Sequence, residues 1–292
     1  MSATPAVDRK KITLQTLRAK KARGEPITML TAYDYATATA VDRAGVDAIL
    51  VGDSLGMVVL GYATTLPVTM DDMLHHCRAV ARGAQHAHLV GDMPFMSYQA
   101  EAAEAVRNAG RFLQEAGMEA VKLEGGRDMA PTIRAIVAAG IPVMGHLGLT
   151  PQSVHKLGGF RPQARSAVAA QRLVEDAGIL EDAGCYALVL ESIPDRVAEL
   201  ISRRLDIPTI GIGAGAGCDG QVLVVHDLLG MFDRFTPKFV KRYADLHTEM
   251  QRAFASYIAE VQSGAFPAPE HTTPMAEDDY AALVAALEPH AD

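Results

Sequence analysis

The sequence predicts an α/β protein: a single (β/α)8 (TIM) barrel with a long C-terminal helix and a short C-terminal extension. Three observations predict it. Eight short, almost unbroken apolar runs recur along the 292 residues, as parallel strands covered on both faces do. Most are separated by stretches rich in Ala, Glu, Arg and Leu that end in Gly, the pattern of amphipathic helices. No low-complexity linker interrupts residues 10–265. A doubly wound open sheet is the competing arrangement, and eight alternating units in one uninterrupted stretch favour closure.

The runs are ITMLTA (27–32), AILVGD (48–53), HLVGD (88–92), AVKLE (120–124), PVMGH (142–146), YALVLE (186–191), PTIGIG (208–213) and QVLVVHD (221–227). DYATATAVDRAG after the first run and EAAEAVRNAGRFLQEAG after the third read as helices. AGAGC, between the seventh and eighth runs, is too short for one. Beyond the last run, Phe239, Tyr243, Leu246, Met250, Phe254, Tyr257, Ile258 and Val261 recur at helical spacing. They predict one long helix with an apolar face, for the barrel wall or a subunit contact. GAFPAPEHTTP breaks it, and EDDYAALVAALEPHAD predicts a short final helix. The expected division is a catalytic barrel over 1–272 and an extension over 273–292 without assigned chemistry.

With 49% hydrophobic and 21% charged residues the chain is neither disordered nor short of core material. Its net charge of −8 and lack of a basic stretch argue against a nucleic-acid partner. Cys77, Cys185 and Cys218 lie far apart with no C-x-x-C pair, as in a reducing compartment. MSATPAVDRKK has no apolar core of a signal peptide, and no apolar run reaches the ~18 residues of a membrane span. A soluble, cytoplasmic protein without a membrane partner is expected.

In a barrel, chemistry sits at the C-terminal ends of the strands. There the runs present Asp53-Ser54, Asp92, Lys122 and Glu124, His146, and Glu191-Ser192. Strand period 2 puts Lys122 and Glu124 on one face with Leu123 opposite. Any one of these acids would serve equally well as a helix cap. Three on consecutive runs, with Lys122 among them, favour a metal site: converging carboxylates repel unless a cation joins them. An all-oxygen set suits a hard ion, Mg²⁺ before Zn²⁺. His146, before a Gly and a Thr-Pro turn, suits chemistry and structure alike. GIGAGAG (211–217) is followed by a strand rather than a helix, so a tight turn at the site rim is expected, not a dinucleotide fingerprint. HAH (86–88) precedes its strand on the wrong side of the barrel and reads as a surface pair; LHHC (74–77) falls in a helical segment.

LTAYDY, VGDSLGMVVLGYATTLPVT, GDMPFMSY, VKLEGG, GHLGLTPQSV, LVLESIP and IGIGAGAGCDGQVLVVHDLLG closely resemble the ketopantoate hydroxymethyltransferase family, in order, over roughly residues 10–272. The resemblance implies a Mg²⁺-dependent barrel enzyme that transfers a one-carbon unit from 5,10-methylenetetrahydrofolate to 3-methyl-2-oxobutanoate. The product is 2-dehydropantoate, on the route to pantothenate and coenzyme A, formed through a metal-stabilised enolate. By motif, Asp53, Asp92 and Glu124 surround the metal, Ser54 and Lys122 hold the oxo acid, Glu191 is the catalytic base and His146 lies in the same pocket. The family also implies a homo-oligomer, a decamer. A Mg²⁺-dependent 2-oxo acid lyase or mutase of the phosphoenolpyruvate mutase and isocitrate lyase type is the alternative. It is disfavoured by the lack of a KKCGH stretch and of a cysteine at a strand end. A non-catalytic barrel would have no need of the acids and Lys122.

Overall fold

In the computed structural model of the chain, the structure describes residues 9–287. Eight strands alternate with helices: β1 (Ile27–Thr31), β2 (Ala48–Val51), β3 (His88–Asp92), β4 (Ala120–Glu124), β5 (Val143–Gly148), β6 (Ala187–Glu191), β7 (Thr209–Ile212) and β8 (Gly220–Leu223). They close in sequence order into a parallel barrel, with β1 pairing both β2 and β8. The chain forms two compact units, divided between Ala244 and Asp245, and the barrel lies in the first.

Strand alternation sorts the side chains. Met29, Leu50, Val90, Ala120, Met144, Val189, Ile210 and Val222 form one buried cluster inside the barrel. Leu17 joins it from the helix Leu14–Arg23, which precedes β1 and which the apolar runs gave no reason to expect. Ile49, Val51, Leu123 and Leu188 face outward instead, with Phe112, Ile133 and Ile201 of the surrounding helices. Each such side chain, fully buried, contributes about 1.5–3 kcal/mol of transfer free energy.

The helices have their own caps. Asp34 accepts from Thr37 N (2.8 Å), and Thr69 with Asp72 forms a capping box ahead of Met70–Gly83. Ser166 caps Ala167–Asp182. Asp53, Asp92 and Glu124 form no cap to the helix that follows their own strand, which leaves them for other work.

Three expectations need correction. The eighth strand stops at Leu223, because Val225 N turns to donate to Thr31 Oγ1 (2.9 Å) and Val225–Leu228 coils into a helical turn. The long helix begins at Leu246, not near Phe239. Tyr243 N is held by the Leu228 carbonyl (2.8 Å), and Phe239 lies against Gly213, so neither is free to join a helix. Finally, His86 and His88 are not a surface pair. His86 bonds Asp42 (2.9 Å), and His88 is buried with its Nε2 3.0 Å from the Tyr186 hydroxyl.

The second unit holds the helix Leu246–Ser263, ended by Gly264 in left-handed conformation (φ 72°), and the helix Glu277–Leu287. Phe254, Tyr257, Ile258 and Val261 are exposed on the first of these. The last five residues of the predicted final helix, 288–292, lie outside the described residues. Among the described residues no helix is long and apolar enough to cross a membrane.

At the N-terminal end of β3, Glu119 accepts from Leu89 N (2.9 Å) and meets Lys11 (2.9 Å) and His88 (3.3 Å). Burial raises the Glu119 carboxyl, but His88, the Leu89 amide and Lys11 outweigh it and bring it down to about 2, from 4.5. A lowered carboxylate stabilises the fold fully above its unfolded value and loses that contribution as pH falls toward the folded one. The Tm difference between wild type and Glu119→Gln should therefore shrink from about pH 5 to about pH 2.5. A difference that stays constant across that window would show that the charge adds nothing.

Candidate active site

Strand register assembles the site. Asp92 of β3 pairs with Lys122 of β4, Glu124 of β4 with His146 of β5, and Gly148 of β5 with Glu191 of β6. Paired residues share a face of the sheet, so Asp92, Lys122, Glu124, His146 and Glu191 all turn inward, one layer above Val90, Ala120, Met144 and Val189. Leu123 points to the outer core, as its position between Lys122 and Glu124 predicts. Asp53 and Ser54 arrive from the turn after β2. Gly52 makes room for them: a Cβ there would lie 2.8 Å from Ser54 Oγ. All eight strand-end residues singled out from the sequence, Ser192 included, line one cavity of about 420 Å³.

After β6 the backbone is strained. Ser192 takes a left-handed conformation (φ 48°) and is held by bonds from its N–H to Ile212 O and from Gln163 N to its carbonyl, each 2.9 Å. Gly148 (φ 96°) permits the adjoining turn, in which Leu149 N donates to Glu191 O (2.9 Å). Glu191 is thereby presented at the cavity edge, its side chain 17% exposed, whereas Asp53, Asp92, Lys122, Glu124 and His146 are buried.

The polar contacts are continuous. Lys122 Nζ lies 2.7 Å from Asp92 Oδ1 and 3.3 Å from His146 Nδ1. His146 Nδ1 is 3.4 Å from Glu124 Oε1, and its Nε2 is 3.2 Å from Glu191 Oε2 without being aligned for a hydrogen bond. Asp92 Oδ2 accepts from Asp53 N (3.2 Å). Ser54 Oγ is 2.8 Å from the Tyr33 hydroxyl.

Burial and charge set the proton affinities. Burial, then the charges of Asp92 and Glu124, drive the Asp53 carboxyl well above the usual range. Asp92 is raised as well, chiefly by burial, against the pull of Lys122. Burial lowers the proton affinity of Lys122, but Asp92, Glu124 and Asp53 together raise it above the ordinary. His146 is likewise lowered by burial and by Lys122, yet Glu124 and Glu191 prevail and take it up to about 9. Asp227, also on the cavity wall, rises to about 6 through burial, opposed by Arg242.

A hard cation fits this donor set. Among the described residues no three His, Cys, Asp or Glu side chains close into a complete cage. Lys122 stands against Asp92, and the Gln152 amide groups engage both Asp53 and Glu124. Mg²⁺ needs no such cage, since it is held through one or two carboxylates and completes its shell with water and substrate oxygens. Buried Asp92 Oδ1 accepts no aligned hydrogen bond, and the charges of Asp92 and Glu124 add to burial in raising Asp53, a crowding that a divalent ion would offset.

Sequence reasoning missed Gln152, Tyr33 and Tyr98. Gln152 bonds Asp53 and Tyr98, and the Tyr33 hydroxyl bonds Ser54. Gln152 stands inside the quoted GHLGLTPQSV, but nothing local shows that a residue after a Thr-Pro turn reaches the ends of β2 and β4.

Comparison with known proteins agrees with the geometry. The model of the ketopantoate hydroxymethyltransferase family matches residues 11–269. The 3-methyl-2-oxobutanoate hydroxymethyltransferase of Syntrophus aciditrophicus (strain SB) is 61% identical over 263 residues, covering 90% of this chain and 97% of its own. Two solved structures share the fold at low identity. 2,3-Dimethylmalate lyase, a member of the PEP mutase/isocitrate lyase superfamily, has a TM-score of 0.58 at 17% identity over 94% of this chain and 97% of the lyase. Phosphonopyruvate hydrolase, in complex with oxalate and Mg²⁺, has a TM-score of 0.58 at 14% identity over 94% and 98%. With the family model spanning nearly the whole barrel, the chain belongs to the ketopantoate hydroxymethyltransferase family of enzymes.

Proposed function

We propose that the protein transfers a hydroxymethyl group from 5,10-methylenetetrahydrofolate to 3-methyl-2-oxobutanoate, giving 2-dehydropantoate for pantothenate and coenzyme A synthesis. One observation carries the reading: three acids, Lys122, His146 and Glu191 converge on a single cavity in a member of this family. The lower wall is apolar where Leu50, Val189 and Val222 meet the cavity, which suits the branched carbon end of the oxo acid. The buried Lys122 ammonium and the Ser54 hydroxyl suit its carboxylate. The cavity is larger than a five-carbon acid requires, and Phe160, Phe232 and Phe235 line it with flat apolar surface suited to the folate.

Asp53, Asp92 and Glu124 would hold Mg²⁺, the ion also present in the phosphonopyruvate hydrolase structure, with Glu124 acting through water. When bound, the ion supplies Lewis-acid chemistry, stabilising negative charge that develops on the substrate's keto oxygen. Glu191 is the catalytic base, and its carboxylate stands 3.2 Å from His146 Nε2. C3 then bonds to the one-carbon unit, that carbon's bonds to folate N5 and N10 both break, and water supplies the hydroxyl group; the proton from C3 and the second proton of that water end on the two folate nitrogens. The exposed apolar residues Phe254, Tyr257, Ile258 and Val261 support the homo-oligomer, a decamer, that the family resemblance implies.

Incubated with 3-methyl-2-oxobutanoate, methylenetetrahydrofolate and Mg²⁺, the folded protein should form 2-dehydropantoate; no product by mass spectrometry would sink the reading. Asp92→Ala should lower Mg²⁺-dependent kcat by at least about 100-fold with an unchanged circular dichroism spectrum. Retained activity would remove Asp92 from the metal site. Lys122→Ala should raise KM for the oxo acid about 10- to 100-fold, the worth of a charged hydrogen bond, and leave KM for folate unchanged. Equal effects on both would deny Lys122 its substrate.

A further inference from the structure

Gln152 stands outside the set of acids and cations assigned above, yet it touches more of that set than any other neutral residue described here. It lies in the short turn Pro151–Ser153 after β5 and is 5% exposed. Its side-chain Nε2 donates to Asp53 Oδ2 (2.9 Å) and to the Met93 carbonyl (2.9 Å). Its Oε1 accepts from the Tyr98 hydroxyl (2.7 Å) and from Gln99 Nε2 (3.2 Å). Its backbone N–H donates to Glu124 Oε2 (3.0 Å). One residue thus spans two acids that stand 71 positions apart in the sequence.

A primary amide has two donor hydrogens and one oxygen with two lone pairs. Here every one is used, and the partners decide which way the amide faces. The Met93 carbonyl can only accept, and Tyr98 adds a donor on the other side: its hydroxyl accepts from Glu124 N (3.1 Å), and its own hydrogen is nearer to Gln152 Oε1 (2.7 Å) than to the Glu124 carbonyl (3.2 Å). Turning the amide over would set its NH₂ against the Tyr98 hydroxyl and the Gln99 amide, and its oxygen against the Asp53 carboxylate and the Met93 carbonyl. The relay from Tyr98 therefore holds a donor against Asp53. A donor there does two things that Asp53 needs. It offsets charge on a carboxylate crowded by Asp92 and Glu124, and it fixes the plane in which the other oxygen points.

We propose that Gln152, oriented by Tyr98, is a positioning residue for the divalent-cation site: it fixes the Asp53 carboxylate through its side chain and Glu124 through its backbone. This rests on the metal reading given under Proposed function. It concerns no atom of the substrate, and its consequence is an affinity for metal in the absence of substrate.

The two arms are separable by substitution. Replacing the side chain removes the contact with Asp53 and leaves the backbone bond to Glu124 available. The test is Mn²⁺ binding to the full-length protein without substrate, read from the loss of the free-ion signal in electron paramagnetic resonance. Gln152→Leu should raise Kd about 10- to 100-fold, the effect usual for a group that orients a metal ligand. Tyr98→Phe, which keeps the ring and loses the hydroxyl, should also raise Kd. Tyr98 also bonds the Glu124 backbone directly, so the double variant should lose clearly less affinity than the two single losses combined, the shared part being the route through Gln152. Independent packing defects would instead add. Thermal melts confirm that each variant is folded, and if Gln152→Leu is not, Tyr98→Phe decides the matter. A Kd within about twofold of wild type in a folded variant, or additive losses in the double variant, would overturn the proposal while leaving the metal site standing. Wild-type protein that takes up no Mn²⁺ would overturn both.

Discussion

Three carboxylates buried together at one end of a barrel repel one another, and the surrounding structure is organised to oppose that repulsion. Asp53, Asp92 and Glu124 are each less than about 6% exposed, where water cannot screen them and an unpaired ion costs several kcal/mol. Lys122 and His146, buried beside them, keep their protons because of this crowding. Gln152 and Tyr98 spend their hydrogen-bonding capacity on the same acids. The cluster is compensated by these partners and still leaves Asp92 Oδ1 without an aligned hydrogen bond.

Parallel register makes such a cluster possible. Neighbouring strands of a closed parallel sheet deliver their last inward residues at the same height, so a polar residue near each C-terminal end is sufficient to bring them together. The layer below is wholly apolar, from Val90 to Val189, and separates the acid cluster from the Glu119–His88–Tyr186 network at the opposite end of the strands. β3 carries titratable groups at both ends, His88 and Asp92, with a single inward residue, Val90, between them.

Much of this was legible in the sequence. Nearly unbroken apolar runs marked all eight strands, because a strand covered on both faces carries few polar residues, and the runs of β3 to β6 ended where polar side chains met the cavity. The inward orientation of Lys122 and Glu124 followed from period 2 alone. What escaped depends on contacts between distant segments. Leu14–Arg23 carries mostly polar residues and buries only Leu17, so its periodicity is faint. Phe239 and Tyr243 continue the helical spacing of 246–261 by composition, while their actual partners are Gly213 and Leu228. His88 looks like half of a surface pair until the strand it begins is seen to point it into the barrel. Gln152 has no pattern at all; its importance is the reach of a loop.

Among the strands, the charged side chains of the cavity come from β3 to β6, joined by Asp53 of the turn after β2, whereas β7, β8 and β1 contribute Ile212, Val222 and Thr31; Asp227 and Lys238 are added by the chain after β8. The ring of strands is thus split into a charged arc and a neutral one. A molecule with an anionic head and a hydrocarbon body meets a socket with two unlike halves, and only one way round satisfies both.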